Sequence, residues 1–234
     1  MKKYLLKYTF EFLVIVVGIS LSFYVDDYTS DVEKNSLKNQ SLSRILKNLD
    51  IDIIDNKFNL NTILESVNSS EWILSNQENL SKFSRDTIGF HFNKSINHIS
   101  IFVDNQEEYR TLQNSGYLEL IGNEKLVELL QNKYTQHNFM KKLEELIIKK
   151  SDRLTDFDFK NLKHIGDSIG KQGFLVNKRF TGKLKIPNEV FERIFEAKYY
   201  RNYYINLIEK RLIQDSLIKI EIKKEIKPQS YPLH

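Results

Sequence analysis

Between Phe12 and Val25 the chain carries no charged residue, and charges of opposite sign bracket this run: Lys2, Lys3 and Lys7 before it, Asp26, Asp27, Asp31 and Glu33 after it. As an α-helix, Tyr4 to Val25 extends roughly 33 Å at about 1.5 Å per residue, enough to cross a hydrocarbon core of about 30 Å. The segment therefore reads as a single membrane-spanning helix. Tyr4 and Tyr8 at one end and Tyr24 and Tyr28 at the other suit aromatic belts at the two lipid interfaces. A cleaved signal peptide with a small-x-small site at Ser20-Leu21-Ser22 is the competing reading. The apolar run continues unbroken through Phe23, Tyr24 and Val25, which favours an uncleaved signal-anchor. The lysines before the span place the N-terminus in the cytoplasm and residues after about 28 outside the inner membrane.

Glu11 lies inside this span, one turn past Lys7. An ionisable group at membrane depth is either paired locally, here with Lys7 at the cytoplasmic edge, or in contact with a partner helix or a coupling ion. Glu11, Ile15, Gly18 and Ser22 follow at spacings of four, three and four and share one helical face. Gly18-x-x-x-Ser22 is a small-x-x-x-small pattern that lets a second helix approach closely, so the face is expected to mediate a helix–helix contact with a membrane partner or a second copy.

The remaining chain, about 205 residues, is long enough to bury a sizeable core. Of all 234 residues, 41% are hydrophobic and 28% charged, which is globular usage. Cysteine is absent, which removes disulfides and thiolate metal sites and suits an oxidising compartment. The net charge of +4 comes from interleaved signs and gives no sign of a nucleic-acid partner.

Past the span the pattern is helical. Leu37, Leu42, Ile45, Leu46, Leu49, Ile53, Ile63, Leu64 and Val67 recur mostly every three or four residues, with no Gly or Pro from Asp26 to Arg85. The span is expected to run on as a long stalk. Asp50, Asp52 and Asp55 point different ways on a helix and lack the glycine of a calcium loop, so they read as a solvated face. Trp72, Ile73, Leu80 and Phe83 mark the apolar side of a further helix or its turn. From Thr87 to Val103, Gly89, His91, His98 and the alternation of Ile96, Ile99, Ile101 and Phe102 suggest an irregular connection or a short strand. No third ligand accompanies the two histidines at metal-binding spacing.

Glu107 to Asn114 reads as a short helix with Gly116 at its left-handed C′ position, and Asn123 caps the helix that follows through Leu126, Leu130, Tyr134, Phe139, Leu143 and Ile147. Gly166 to Pro187 concentrates four of the eight glycines and is the candidate hinge. Its Gly166, Gly170 and Gly173 lack both P-loop and dinucleotide-fingerprint spacing. Pro187 suits the first turn of a last long helix. That helix carries Val190, Phe191, Ile194, Phe195, Tyr199, Tyr203, Leu207, Ile208, Leu212 and Leu217, with Tyr199 and Tyr203 expected against the stalk. Lys223, Lys224 and Lys227 could face lipid headgroups if the tail folds back.

Two blocks carry a resemblance. The first is Lys7-Tyr8-Thr9-Phe10-Glu11-Phe12 through Val16-Val17-Gly18-Ile19 and Leu21, followed by Arg44-Ile45-Leu46-Lys47-Asn48-Leu49. The second is Tyr109-x-x-Leu112-x-x-Ser115-Gly116-x-Leu118-x-x-Ile121, then Leu126 and Tyr134. Together they resemble a family of uncharacterised single-pass proteins, a domain of unknown function common in Bacteroidota, and cover about two-thirds of the chain. Phe23-Tyr24-Val25-Asp26-Asp27 departs from the Asn-Asn-Trp-like stretch that often ends the family's helix. The resemblance implies a topology and a helical fold and adds no reaction.

The expected protein is mainly α. Residues 1–28 form the cytoplasmic N-terminus and transmembrane helix, and residues 29–234 a periplasmic helical bundle with a short irregular or β-like middle segment. No cysteine nucleophile and no recognisable Ser-His-carboxylate motif points to catalysis, and no cofactor or metal is implied. Two function classes remain: a membrane-anchored interaction or scaffold subunit of a bacterial envelope complex, or an extracytoplasmic ligand-binding or sensory bundle.

Overall fold

The computed structural model describes residues 2–103, 105–165 and 177–226. Gly166, Gly170 and Gly173 of the candidate hinge, and Lys227, lie outside these residues. Helix α1, Lys2–Ser75, is one element of 74 residues, about 110 Å long at the usual rise. No Gly or Pro interrupts it after Gly18, which is why the apolar run continues into the stalk without a break. It contains a stretch long and apolar enough to cross a membrane, and none of that stretch is covered by the rest of the protein.

A turn closed by Asn76 N–H donating to Trp72 and Ile73 carbonyls, and a 3-10 turn at Leu80–Lys82, reverse the chain. Helix α2, Arg85–Asn97, then descends along the distal part of α1. The expected irregular segment or strand from Thr87 to Val103 is corrected here: its first two-thirds are helical. Ser84 caps α2, its Oγ accepting from Thr87 N–H at 3.0 Å, and Ile88, Phe92 and Ile96 bury a stripe at four-residue spacing. Gly89 and the β-branched residues hid that period. Gly89 is needed for packing, since a Cβ there would clash with the Lys178 carbonyl and the Phe180 amide. Only residues 98–103 run without regular structure, held to α1 by Ser100 on Asn59 and by Val103 N–H on Asp55.

Helix α3, Glu107–Asn114, follows at the base, and Gly116 takes the left-handed conformation (φ 76°) at its C′ position, as its sequence context requires. Asn123 Oδ1 accepts from Leu126 N–H and starts α4, Glu124–Asp152, which runs parallel to α1. Helix α5, Thr155–Asn161, leads into strands β1, Leu162–His164, and β2, Lys178–Phe180, an antiparallel pair with Leu162 opposite Phe180. The β structure thus borders the candidate hinge, where no alternation announced it. Helix α6, Asn188–Ile226, returns antiparallel to α1 and α4, and Pro187 precedes its first turn, accepting from Val190 N–H.

Three apolar clusters stack along the resulting bundle. The basal one gathers Leu42, Ile45 and Leu49 with Leu126, Leu130, Ile218 and Ile222. The middle one joins Ile63 and Val67 to Phe102, Met140, Ile147 and Ile208. The distal one holds Ile73, Ile88, Phe92, Phe180, Phe191 and Ile194. Each such side chain stabilises by about 1.5–3 kcal/mol on burial. On α6 the buried stripe passes through Ala197, Arg201 and Tyr204, whereas Tyr199 and Tyr203 are 65% and 46% exposed and do not pack on the stalk. Hydrophobic periodicity chose the wrong tyrosines because Arg201, Arg211 and Asp215 occupy inward positions that it reads as surface.

The residues of the second sequence block close the base. Tyr109 stacks on Tyr134 with centroids 4.3 Å apart, Leu112 and Ile121 are buried in the basal cluster, and Leu118 packs against it. Ser115 Oγ donates to the Thr111 carbonyl at 2.8 Å, closing the end of α3.

Candidate functional site

Polar layers separate the three apolar clusters, and the lowest is the strongest electrostatic feature of the bundle. Lys133 on α4 is completely buried, and its Nζ donates to Asp52 Oδ2 at 3.0 Å on α1 and to Asp215 Oδ1 at 2.7 Å on α6. Asp52 is therefore no part of a solvated face, contrary to expectation. Its neighbours behave differently: Asp50 pairs with Lys219 at the surface and Asp55 accepts from Asn59 at 2.9 Å. One turn before Asp215, the buried Arg211 donates to the Lys133 carbonyl at 2.9 Å. Two carboxylates and two cations make the layer formally neutral, the condition under which several charges can leave water together.

Above it, Glu144 accepts from Phe102 N–H at 2.9 Å, from Lys141 Nζ at 2.8 Å and from the Tyr204 hydroxyl. Burial first, then the Glu144 charge, push the ionisation of Tyr204 far up, so the phenol acts only as a donor. Higher still, Ser66, Ser70 and Ser95 bond one another, and the fully buried Arg201 donates to Ser151 Oγ at 2.8 Å. Two further nitrogens of Arg201 have no partner among the described residues, and burial pulls its pKa down to about 10.

Two open clefts lie on the bundle, one beside the lowest polar layer and one at the distal end. The lower, about 590 Å³, has the triad carboxylate Asp52 on its wall together with Gln106, Glu107, Arg110 and His137. The distal one, about 710 Å³, is lined by Arg85, Arg153, Lys160, Lys183, Lys185 and Arg193 against Asp156 and Glu189, over an apolar floor that includes Leu154 and Ile186. Its excess of four positive charges equals the net charge of the entire chain. Sequence reading missed this concentration because its members come from α2, the turn after α4, α5, α6 and the stretch before α6.

Of the expected site residues, Glu11 lies 3.8 Å from Lys7, the local pairing anticipated for it. Ile15 is exposed, and a Cβ on Gly18 would meet nothing within 4 Å. Glu11, Ile15, Gly18 and Ser22 thus share an open face of α1. The two histidines are structural. His91 stacks on Trp72 at 4.0 Å, and His98 Nδ1 lies 3.4 Å from Glu65. Among the described residues no three His, Asp or Glu side chains gather as metal ligands. Lys133, Asp215 and Arg201 were missed because hydrophobic periodicity reads a charged residue as surface, and the groups that partner them lie on other helices.

Removing Lys133 alone leaves two buried carboxylates facing each other. Lys133→Met is expected to cost about 3–5 kcal/mol in urea unfolding. Arg201→Leu is expected to be neutral or stabilising, because it removes a buried charge with unsatisfied nitrogens. Similar losses from both variants would refute this assignment. Desolvation, then Lys94, lowers the pKa of His91. Its neutral form is the folded one, so this contribution to stability is complete above about 6.5 and is lost as pH falls toward the folded pKa. Trp72 is the sole tryptophan; its fluorescence should titrate with a midpoint below about 6.5, and His91→Gln should abolish that transition.

Compared with models of known protein families, with curated proteins and with solved structures, the chain finds no match.

Proposed function

We propose that the protein is a membrane-anchored interaction or scaffold protein of the bacterial envelope, an accessory subunit that holds a rigid helical bundle on the periplasmic side of the inner membrane. The observation that carries this reading is the continuity of α1, which joins the apolar stretch directly to the bundle core. A soluble protein would have to cover the side chains from Phe10 to Val25, which stand 40–70% exposed apart from the small Gly18, Ser20 and Ser22 and the charged Glu11. The bundle has a closed core stapled by ion pairs across three helices, which suits a rod that presents surfaces. The resemblance to the single-pass family supports the same topology.

The test is alkaline carbonate extraction of membranes carrying the full chain, followed by protease treatment of intact and of outer-membrane-permeabilised cells. The chain should stay in the membrane pellet and be degraded only after permeabilisation. Release into the supernatant would overturn the anchor, and protection after permeabilisation would overturn the orientation.

The distal cleft favours a second reading, a sensory or binding module for an anionic ligand with an apolar body. Convergent cations over an apolar floor in a volume of about 710 Å³ match the general form of small-molecule sites. Lauryl phosphate, titrated in low salt, should raise the thermal midpoint of the wild type and leave a Lys160→Ala, Lys183→Ala, Lys185→Ala variant unmoved. Equal shifts in both proteins would dismiss the cleft.

A further inference from the structure

The stretch of α1 between the apolar span and the bundle has an apolar seam with no partner among the described residues of its own chain. Residues 26–37 extend about 18 Å, and the bundle begins at Lys38, which is buried and pairs with Glu225 at 2.9 Å. The side-chain bonds in this stretch are internal to α1: Thr29 to the Val25 carbonyl, Asn35 to the Asp31 carbonyl, and Lys34 to Asp31. A single helix of this length is marginal in water. Yet Val25, Tyr28 and Val32, at 51%, 64% and 52% exposure, form a stripe along it.

The spacing of that stripe is specific. Val14, Gly18, Leu21, Val25, Tyr28, Val32 and Asn35 follow at intervals of four, three, four, three, four and three, the a/d register of a left-handed coiled coil. In that register Asp26, Asp27, Glu33 and Lys34 all fall on the outer b and c positions. Between residues 22 and 36 Asp31 is the only charge at an e or g position, and the e positions facing it across a symmetric pair are Thr29 and Ser36, so no like charges meet in this stretch. The seam lies roughly 100° round the helix from the bundle-facing line of Leu42, Ile45 and Leu49. A second helix can therefore dock without displacing the bundle.

We infer that the occupant is a second copy of this chain, joined as a parallel dimer through Val14, Gly18, Leu21, Val25, Tyr28 and Val32. This rests on the membrane-anchored reading, which also supplies the reason for a parallel pair: two copies inserted with the same orientation present the same seam at the same depth. Gly18 gives the close approach within the bilayer, and one heptad before it the Glu11 charge is balanced by Lys7 of its own helix. The seam shares Gly18 with the expected contact face, whose Ile15 and Ser22 fall on flanking positions beside it.

The chain has no cysteine, so single-cysteine scanning starts from a clean background. Cysteines are placed one at a time at Val25, Tyr28 and Val32 on the seam and at Asp26, Ser30 and Glu33 away from it, in the full-length chain in native membranes. Oxidative cross-linking should give homodimers at the first three positions and little at the others. Uniform cross-linking at all six positions, no homodimer at any, or capture of a different protein by the seam cysteines would each overturn the dimer. Val32→Asp should abolish cross-linking at Tyr28→Cys while the Trp72-monitored melt of the bundle stays unchanged, and persistence of the cross-link would refute the seam. Carbonate extraction of the same samples separates the two readings. Chain in the pellet without a seam pattern defeats the dimer alone, whereas chain in the supernatant defeats the anchor beneath it.

Discussion

Lys133 between Asp52 and Asp215 sets the register of all three long helices. Apolar clusters alone allow α1, α4 and α6 to slide by a turn at modest cost, because Leu, Ile and Val at successive turns replace one another. A buried ammonium with one acceptor on each neighbouring helix has a single good position. Sliding any helix by a turn would leave a carboxylate or the ammonium in the core without a partner, and that penalty is several kcal/mol. The neighbouring contacts agree with that register: Lys38 with Glu225 at the base, Glu144 with Tyr204 in the middle, and Lys150 with Glu196 toward the distal end. The ion layer contributes less to net stability than to uniqueness, since an all-apolar core of the same shape would be at least as stable.

This device also explains what could and could not be read from the residues. The long uninterrupted α1, the Gly116 turn, the Asn123 cap and the existence of α4 and α6 are local properties, encoded in spacing, missing helix breakers and capping chemistry. The inward face of α6 was obscured because a stripe drawn through apolar residues runs onto Tyr199 and Tyr203, while the core is entered by Arg201, Arg211 and Asp215. Likewise Asp52 looked like one of three solvated aspartates until α4 brought Lys133 to it from 81 residues away. A charge becomes buried only through a partner, and partners distant in sequence carry no period. The α2 region failed for a different reason. Its β-branched residues and Gly89 argue locally against a helix, and the packing of that glycine against the β2 backbone overrides the local preference.

The same reasoning separates the two ends of the molecule. At the base, α3 and the Gly116 turn close the bundle at the end where the N-terminal part of α1 leaves it, and Tyr109, Leu112, Ser115, Gly116, Leu118 and Ile121 are mostly apolar contacts or turn formers. Their role is to seal the bundle where the stalk leaves it. At the distal end, α2, α5 and the β pair build a cap whose cleft is lined by six cations and two carboxylates.

Because α1 carries both the exposed apolar stretch and core residues of the bundle, motion of one must appear in the other. After Gly18 the helix has no glycine or proline hinge until it ends at Ser75, and kinks in helices have identifiable local causes that this stretch lacks. A rotation of the span therefore reaches Leu42 and Asp52 with little loss, and there it meets the ion layer, which resists it. A pair of such helices held through the stalk would resist rotation twice, once at the seam and once at each triad. This rigidity fits the proposed scaffold better than it fits a rotating relay. Among the described residues, the distal cap is tied to α1 at the last polar layer itself, through Ser95 of α2 on Ser66 and Ser70, so it is coupled to the same rigid helix.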